Sequence, residues 1–226
     1  LRAFGSSLYF AATDGTNGAE LWKSDGTASG TVMVKDIRSG GGSSSPYGFT
    51  AVGNTLYFVA TDGTNGTELW KSDGTASGTM MVKDIYSGGS SSYPYSLTAV
   101  GNTLYFDATE GTNGRELWKS DGTANGTVMV KDINSGSSSS NLFNLVAFGN
   151  TLCFRANDGT NGDELWKSDG SSTGTLMIKD LHSGISSSNP YNLVAFGNTL
   201  YFQATDGISG IELYAYSGTY TEIYYG

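Results

Sequence analysis

Leu8-Tyr9-Phe10 returns every 48 residues, as Leu56-Tyr57-Phe58, Leu104-Tyr105-Phe106, Leu152-Cys153-Phe154 and Leu200-Tyr201-Phe202. A second marker keeps the same period: Glu20-Leu21-Trp22, Glu68-Leu69-Trp70, Glu116-Leu117-Trp118, Glu164-Leu165-Trp166 and Glu212-Leu213-Tyr214. A single copy of this length cannot bury a core of its own, so the copies must stack on one another. A fixed period in the 40s, built from short strands, predicts propeller blades and not independent domains. The 226 residues read as one β-propeller domain over 1–226, with blades near 1–48, 49–96, 97–144, 145–192 and 193–226.

One copy shows why. Phe49–Val52 is a short apolar strand, and Gly53-Asn54 is a two-residue hairpin signal. Thr55–Thr61 is rich in β-branched and aromatic residues, as a strand requires. Asp62-Gly63-Thr64-Asn65-Gly66 is turn chemistry, Thr67–Ser72 a third strand, residues 73–78 another turn, and Thr79–Ile85 a fourth strand. Residues 86–96 form a Gly/Ser-rich link to the next copy, and no segment has sustained helical periodicity. The expected fold is all-β, a five-bladed β-propeller of four-stranded antiparallel blades. A linear β-solenoid is the alternative, disfavoured because tight hairpins join antiparallel neighbours whereas solenoid coils run parallel. Thr221–Tyr225 is expected to close blade 5 as a degenerate fourth strand. Links fall at 38–48, 86–96, 134–144 and 182–192, so four equivalent junctions are expected, plus one aberrant seam that closes the ring.

The motif Glu-Leu-Trp-x-x-Asp-Gly-Thr-x-x-Gly-Thr is intact at 20–31, 68–79 and 116–127, and changes only at Ser171 in 164–175. In this the chain resembles the ELWxxDGT-repeat family of bacterial secreted and surface proteins, over essentially its whole length. The resemblance implies a propeller and an extracellular or cell-surface setting. The fifth copy departs from it at Tyr214-Ala215-Tyr216-Ser217. In architecture the chain is also similar to five-bladed lectins of the tachylectin type, which bind sugars between blades.

Net charge is −9, without a basic stripe, which argues against nucleic acid and anionic membrane surfaces as partners. No apolar run approaches the roughly 20 residues of a spanning helix, so membrane insertion is not expected. The chain opens at Leu1 and not at Met, which reads as a processed product, a fragment or an engineered chain. Asn65-Gly66-Thr67 and Asn125-Gly126-Thr127 match the N-glycosylation pattern but serve equally as turn chemistry. Cys153, the one cysteine, stands where other copies have Tyr and reads as a buried substitute.

Meander topology puts the second turn of each blade on the same face as the links. Candidate ligand-binding residues are therefore Asp14, Asn17, Asp62, Asn65, Glu110, Asn113, Asp158 and Asn161 from the turns. The aromatics Tyr47, Tyr95, Phe143 and Tyr191 join them from the links. Carboxylate, amide and aromatic ring together suit a sugar, although Asp and Asn are also what a tight turn wants. Trp22, Trp70, Trp118 and Trp166 are expected between blades. The Lys-Asp pairs at 35/36, 83/84, 131/132 and 179/180 are expected as a solvated outer edge. Positions 11 and 19 vary freely between copies (Ala11, Val59, Asp107, Arg155, Gln203; Ala19, Thr67, Arg115, Asp163, Ile211) and read as exposed drift.

No cofactor is expected. Calcium is the one metal the repeated acids could hold, although the turns lack the Asp-x-Asp-x-Asp-Gly pattern. Catalysis is not expected, because the single histidine, His182, occupies a position that varies between copies, and the acids recur blade after blade. The expected function is a non-catalytic binding or adhesion propeller, with multivalent glycan binding between blades. The alternative is a structural subunit of a surface layer, matrix or filament. The partners are then glycans or other surface proteins, with self-association possible.

Overall fold

The computed structural model describes residues 1–218 and the backbone of 221–224. Blade 1 holds β1 (Arg2–Phe4), β2 (Ser7–Ala12), β3 (Glu20–Ser24) and β4 (Val32–Lys35). Blade 2 holds β5 (Tyr47–Val52), β6 (Thr55–Thr61), β7 (Thr67–Ser72) and β8 (Met80–Lys83). Blade 3 holds β9 (Tyr95–Val100), β10 (Thr103–Ala108), β11 (Glu116–Ser120) and β12 (Val128–Lys131). Blade 4 holds β13 (Phe143–Phe148), β14 (Thr151–Asn157), β15 (Asp163–Ser168) and β16 (Leu176–Lys179). Blade 5 holds β17 (Tyr191–Phe196), β18 (Thr199–Thr205), β19 (Ile211–Tyr216) and β20 (Thr221–Tyr224). Tyr225, expected at the end of the last strand, lies outside the described residues. Each sheet follows chain order, and neighbouring strands within it are antiparallel. The chain is a five-bladed β-propeller, and the antiparallel meanders rule out a parallel solenoid.

Alternation along each strand gives a blade two apolar faces, and the core lies between blades. Tyr9, Leu21, Val34 and Ile37 of blade 1 pack on Leu56, Phe58, Ala60 and Trp70 of blade 2. Equivalent clusters join blades 2 and 3, 3 and 4, and 4 and 5. The tryptophans of blades 2 to 4 thus lie between blades.

Each residue of the Glu-Leu-Trp-Lys-Ser-Asp-Gly-Thr motif has a separate task. Leu69 faces the next blade and Trp70 the preceding one. Lys23, Lys71 and Lys119 donate to the carbonyls of Gly74, Gly122 and Gly170 in the following blade at 2.8, 2.8 and 2.7 Å. Lys35, Lys83 and Lys131 do the same to Thr79, Thr127 and Thr175 at 2.6, 2.8 and 2.8 Å. These three lysines are latches between blades, which corrects the expectation of a solvated edge. Asp73 Oδ1 accepts from the Thr75 amide and hydroxyl, closing the turn on itself. Gly74, at φ 91°, is required twice over: the backbone is left-handed, and the Tyr9 hydroxyl occupies the space a Cβ would need.

The expected closure of the ring is not made among the described residues. Leu56, Leu104, Leu152 and Leu200 are fully buried, but their counterpart Leu8 on the back of blade 1 is 40% exposed. On the front of blade 5, Leu213 is 44% exposed, whereas Leu21, Leu69 and Leu117 are fully buried. Blade 5 also has Ala215 where blades 1 to 4 carry the first latch lysine. Among the described residues the four inter-blade clusters therefore have no fifth counterpart, and an apolar face is left open at each end of the row.

Candidate functional site

The turn aspartates are consumed by their own turns, whereas Glu110 engages only one of its two oxygens. Asp14 Oδ1 accepts from the amides of Thr16 and Asn17 at 2.8 and 2.9 Å, and Oδ2 from the Asn17 side chain at 2.8 Å. Asp62 with Asn65 and Asp158 with Asn161 repeat the pattern. In blade 3, Glu110 Oε1 takes both the amide and the side chain of Asn113. The Asn17 and Thr16 amides hold the Asp14 carboxyl below its ordinary range. At Asp62 and Asp158 burial opposes the shift, but the bonds from Asn65 and Asn161 prevail.

The aromatics sit elsewhere than expected. Tyr47, Tyr95, Phe143 and Tyr191 are the first residues of inner strands and not link residues, and they pair with Val59, Asp107, Arg155 and Gln203. A bulge allows this: Gly48, Ser96, Asn144 and Asn192 adopt φ of 68°, 55°, 53° and 53°, and the register shifts there. Three of the rings converge. Tyr47, Tyr95 and Phe143, exposed by 38, 62 and 48%, line one cavity of about 590 Å³ beside the axis. Thr50, Ser96, Thr98 and Asn144 add hydroxyls and an amide to its wall. Tyr191 and the turn acids are not part of that wall. Burial raises the Tyr47 hydroxyl above its ordinary value, with Arg115 opposing and Asp107 adding.

In blades 3 and 4 the residues equivalent to positions 11 and 19 are paired charges and not drift. Arg115 binds Asp107 Oδ2 through Nε at 3.0 Å and Nη2 at 2.6 Å. In blade 4 the signs are exchanged, with Arg155 Nε 3.7 Å from Asp163 Oδ2. The signal is present in the sequence, since in these two copies an acid at one position goes with a base at the other.

Glu20, Glu68, Glu116 and Glu164 are the most buried acids among the described residues. Glu68 Oε2 accepts from the Ile85 amide at 3.0 Å and the Ser92 hydroxyl at 2.6 Å, and Oε1 accepts from the Ser92 amide at 2.8 Å. Glu20, Glu116 and Glu164 hold their links with the same bonds to backbone amides. This draws Ile85 out of the ladder and ends β8 at Lys83, earlier than the sequence suggests. Burial pushes Glu68 and Glu116 up to about 7 against these bonds. Cys153 is fully buried, and burial pushes its thiol up to about 12, so it packs and does not react. His182 lies against Gly207, with Nδ1 3.3 Å from the Ser187 carbonyl. Among the described residues no group of three His, Cys, Asp or Glu side chains is placed to hold a metal ion.

No family model matches the chain, and no curated protein matches it in sequence. Solved structures share its fold. The computationally designed Ika8 protein is 18% identical with a TM-score of 0.52, and the match covers 99% of this chain and 60% of that one. Puromycin hydrolase is 13% identical with a TM-score of 0.59, covering 91% of this chain and 32% of that one. The β-propeller domain of the Trilobed protease from Pyrococcus furiosus, described as having an open velcro topology, is 11% identical with a TM-score of 0.51, covering 98% and 68%. The chain thus spans 60% of the designed protein and about a third of the hydrolase. At these identities the likeness is one of β-propeller fold.

Proposed function

We propose that this chain is a non-catalytic extracellular or cell-surface binding module, with the aromatic groove beside the propeller axis as its glycan site. The observation that carries this is the convergence of Tyr47, Tyr95 and Phe143, from three successive blades, on one concave site walled by hydroxyls and an amide. Exposed rings offer faces for the C–H side of a sugar, and the polar wall offers partners for its hydroxyls. The turn aspartates play no part in this reading, since their oxygens already accept bonds within the turn. The extracellular setting rests on the resemblance of the repeat. A glycan array followed by calorimetry tests the proposal. Tyr95→Ala, at an exposed ring, should weaken binding at least about tenfold, a loss of about 1.4 kcal/mol, while Asp62→Asn leaves it unchanged. An array without hits, or a Tyr95→Ala protein that binds as tightly as the wild type, overturns it.

A second reading, a self-assembling structural subunit, is favoured by the open faces of blades 1 and 5. They are the two halves of an interface that recurs four times within the chain. The occupant that fits is a second copy, blade 5 of one against blade 1 of the next, a head-to-tail contact. Sedimentation should show mass growing with concentration, and Leu213→Asp should abolish the growth. A strictly monomeric protein at high concentration sinks this reading.

A further inference from the structure

Blades 3 and 4 carry a constellation that the other blades lack. Asp107 is only 7% exposed, yet its Oδ1 has no hydrogen-bond partner, because Arg115 takes only Oδ2. Arg115 is largely committed: Nη2 also reaches the carbonyls of Tyr93 at 2.7 Å and Asp107 at 3.4 Å, and Nη1 that of Ser92 at 3.4 Å. Arg155 is not spent. Its Nε is buried without a hydrogen bond, and the nearest acid oxygen, on Asp163, stands at 3.7 Å while that residue's other oxygen holds Asn157. The Arg155 guanidinium lies over the Phe143 ring, 4.9 Å from its centre. Asp107 and Arg155 line one cavity of about 310 Å³ with Arg115, Ser139, Asn141 and Phe143. Phe143 also lines the aromatic groove, so the two cavities adjoin.

The chemistry of such a cavity is specific. A buried carboxylate oxygen without a donor selects a ligand group that donates, such as a hydroxyl. A guanidinium with uncommitted donors in a planar fork matches a carboxylate better than a neutral oxygen, because the bonds are charge-assisted and bidentate. A hydroxyl next to a carboxylate is what a uronic acid presents. We propose that the cavity between blades 3 and 4 is a single acidic-sugar subsite, with Arg155 receiving the carboxylate and Asp107 Oδ1 the neighbouring hydroxyl of a uronate. It rests on the glycan reading and adds to it. A short acidic oligosaccharide would lay one ring against Tyr95 or Tyr47 and place its uronate beyond Phe143. The subsite occurs once, because the positions of Asp107 and Arg155 hold Ala11 in blade 1 and Val59 in blade 2.

Calorimetry with a tetragalacturonide and with its carboxyl-reduced, neutral counterpart tests the subsite. The acidic form should bind at least about tenfold more tightly, with an advantage that shrinks as salt rises. Arg155→Gln should erase the difference and leave binding of the neutral form intact. Blade 5 carries Gln203 at that position, so the repeat accommodates the change, and circular dichroism confirms that the variant is folded. Tyr95→Ala should weaken both forms alike. Equal binding of the two forms by the wild type overturns the subsite and leaves the glycan reading standing, as does an acidic preference that survives Arg155→Gln. Binding of neither form, with an array free of hits, overturns both.

Discussion

Glu68→Ala should destabilise the protein by about 3–5 kcal/mol in guanidinium unfolding, more than any surface substitution. The substitution removes a buried carboxylate and strands three donors at once: the Ile85 amide, the Ser92 amide and the Ser92 hydroxyl. Each unpaired buried donor costs about 1–3 kcal/mol, and the link it held is freed from the blade. The internal control is Glu212→Ala, the same motif position in blade 5. That residue is half-buried and holds no such link among the described residues, so its loss should cost less than about 1 kcal/mol. The same glutamates give stability a pH dependence. With Glu68 and Glu116 pushed up to about 7 from an ordinary 4.5, the folded protein binds more protons than the unfolded chain between those values. Their contribution is full below pH 4.5 and is lost as pH rises through 7. The turn aspartates act in the opposite sense. Asp14, Asp62, Asp73, Asp121, Asp158 and Asp169 are held below an ordinary 3.8, so their contribution is lost as pH falls below that value. The melting temperature should therefore peak between pH 4 and 7, and Glu68→Ala should flatten the alkaline limb. A melting temperature that climbs steadily from pH 5 to 8, or equal losses for Glu68→Ala and Glu212→Ala, would contradict the assignment.

What the sequence could and could not disclose follows from the range of each interaction. The blades were legible because their causes are local: β-branched runs make the strands, and Asp-Gly-Thr and Gly-Asn make the turns. The period then dictates stacking. The task of Lys35 was not legible, since its partner, the Thr79 carbonyl, belongs to the next blade. Only the spacing between blades decides whether a lysine at that place meets water or a carbonyl. Tyr95 and Phe143 read as link residues because the bulges that carry them into the strand have Ser96 and Asn144 at positive φ. Glycine marks the position only once, at Gly48. The aromatic half of the candidate site was thus visible as residue types, while its convergence on the axis was not. Asp107 with Arg115 and Arg155 with Asp163 were legible in principle as an exchange of sign, but only to a reader who compared two positions together. The seam was anticipated from the aberrant fifth copy. That both of its faces stay open was not, because the motif residues Leu8 and Leu213 are the same in kind as their buried counterparts.

Those open faces make one repeat position into two experiments. Phe106 is fully buried between blades 2 and 3, against Tyr57, Leu69 and Trp118. Phe106→Ala removes a ring from a closed interface and leaves a cavity, which should cost about 3–5 kcal/mol. Phe10 is the same residue of the repeat on the back of blade 1, where no blade covers it among the described residues and it is only partly buried. Phe10→Ala should cost only about 1–2 kcal/mol, because the ring leaves water on one side only. Unfolding the two variants side by side in guanidinium at low protein concentration reads the difference directly. The comparison also separates the ways the row of blades could end in solution. If blade 5 swings round to cover blade 1, Phe10 becomes a core residue and the two losses converge at every concentration. If a second copy covers it head to tail, the Phe10→Ala loss grows with protein concentration while the Phe106→Ala loss does not, since only the first interface is linked to association. A persistent gap of about 2 kcal/mol at all concentrations means that the face is free, and that the inter-blade clusters of blades 1 to 5 suffice to hold the fold without a sealed ring.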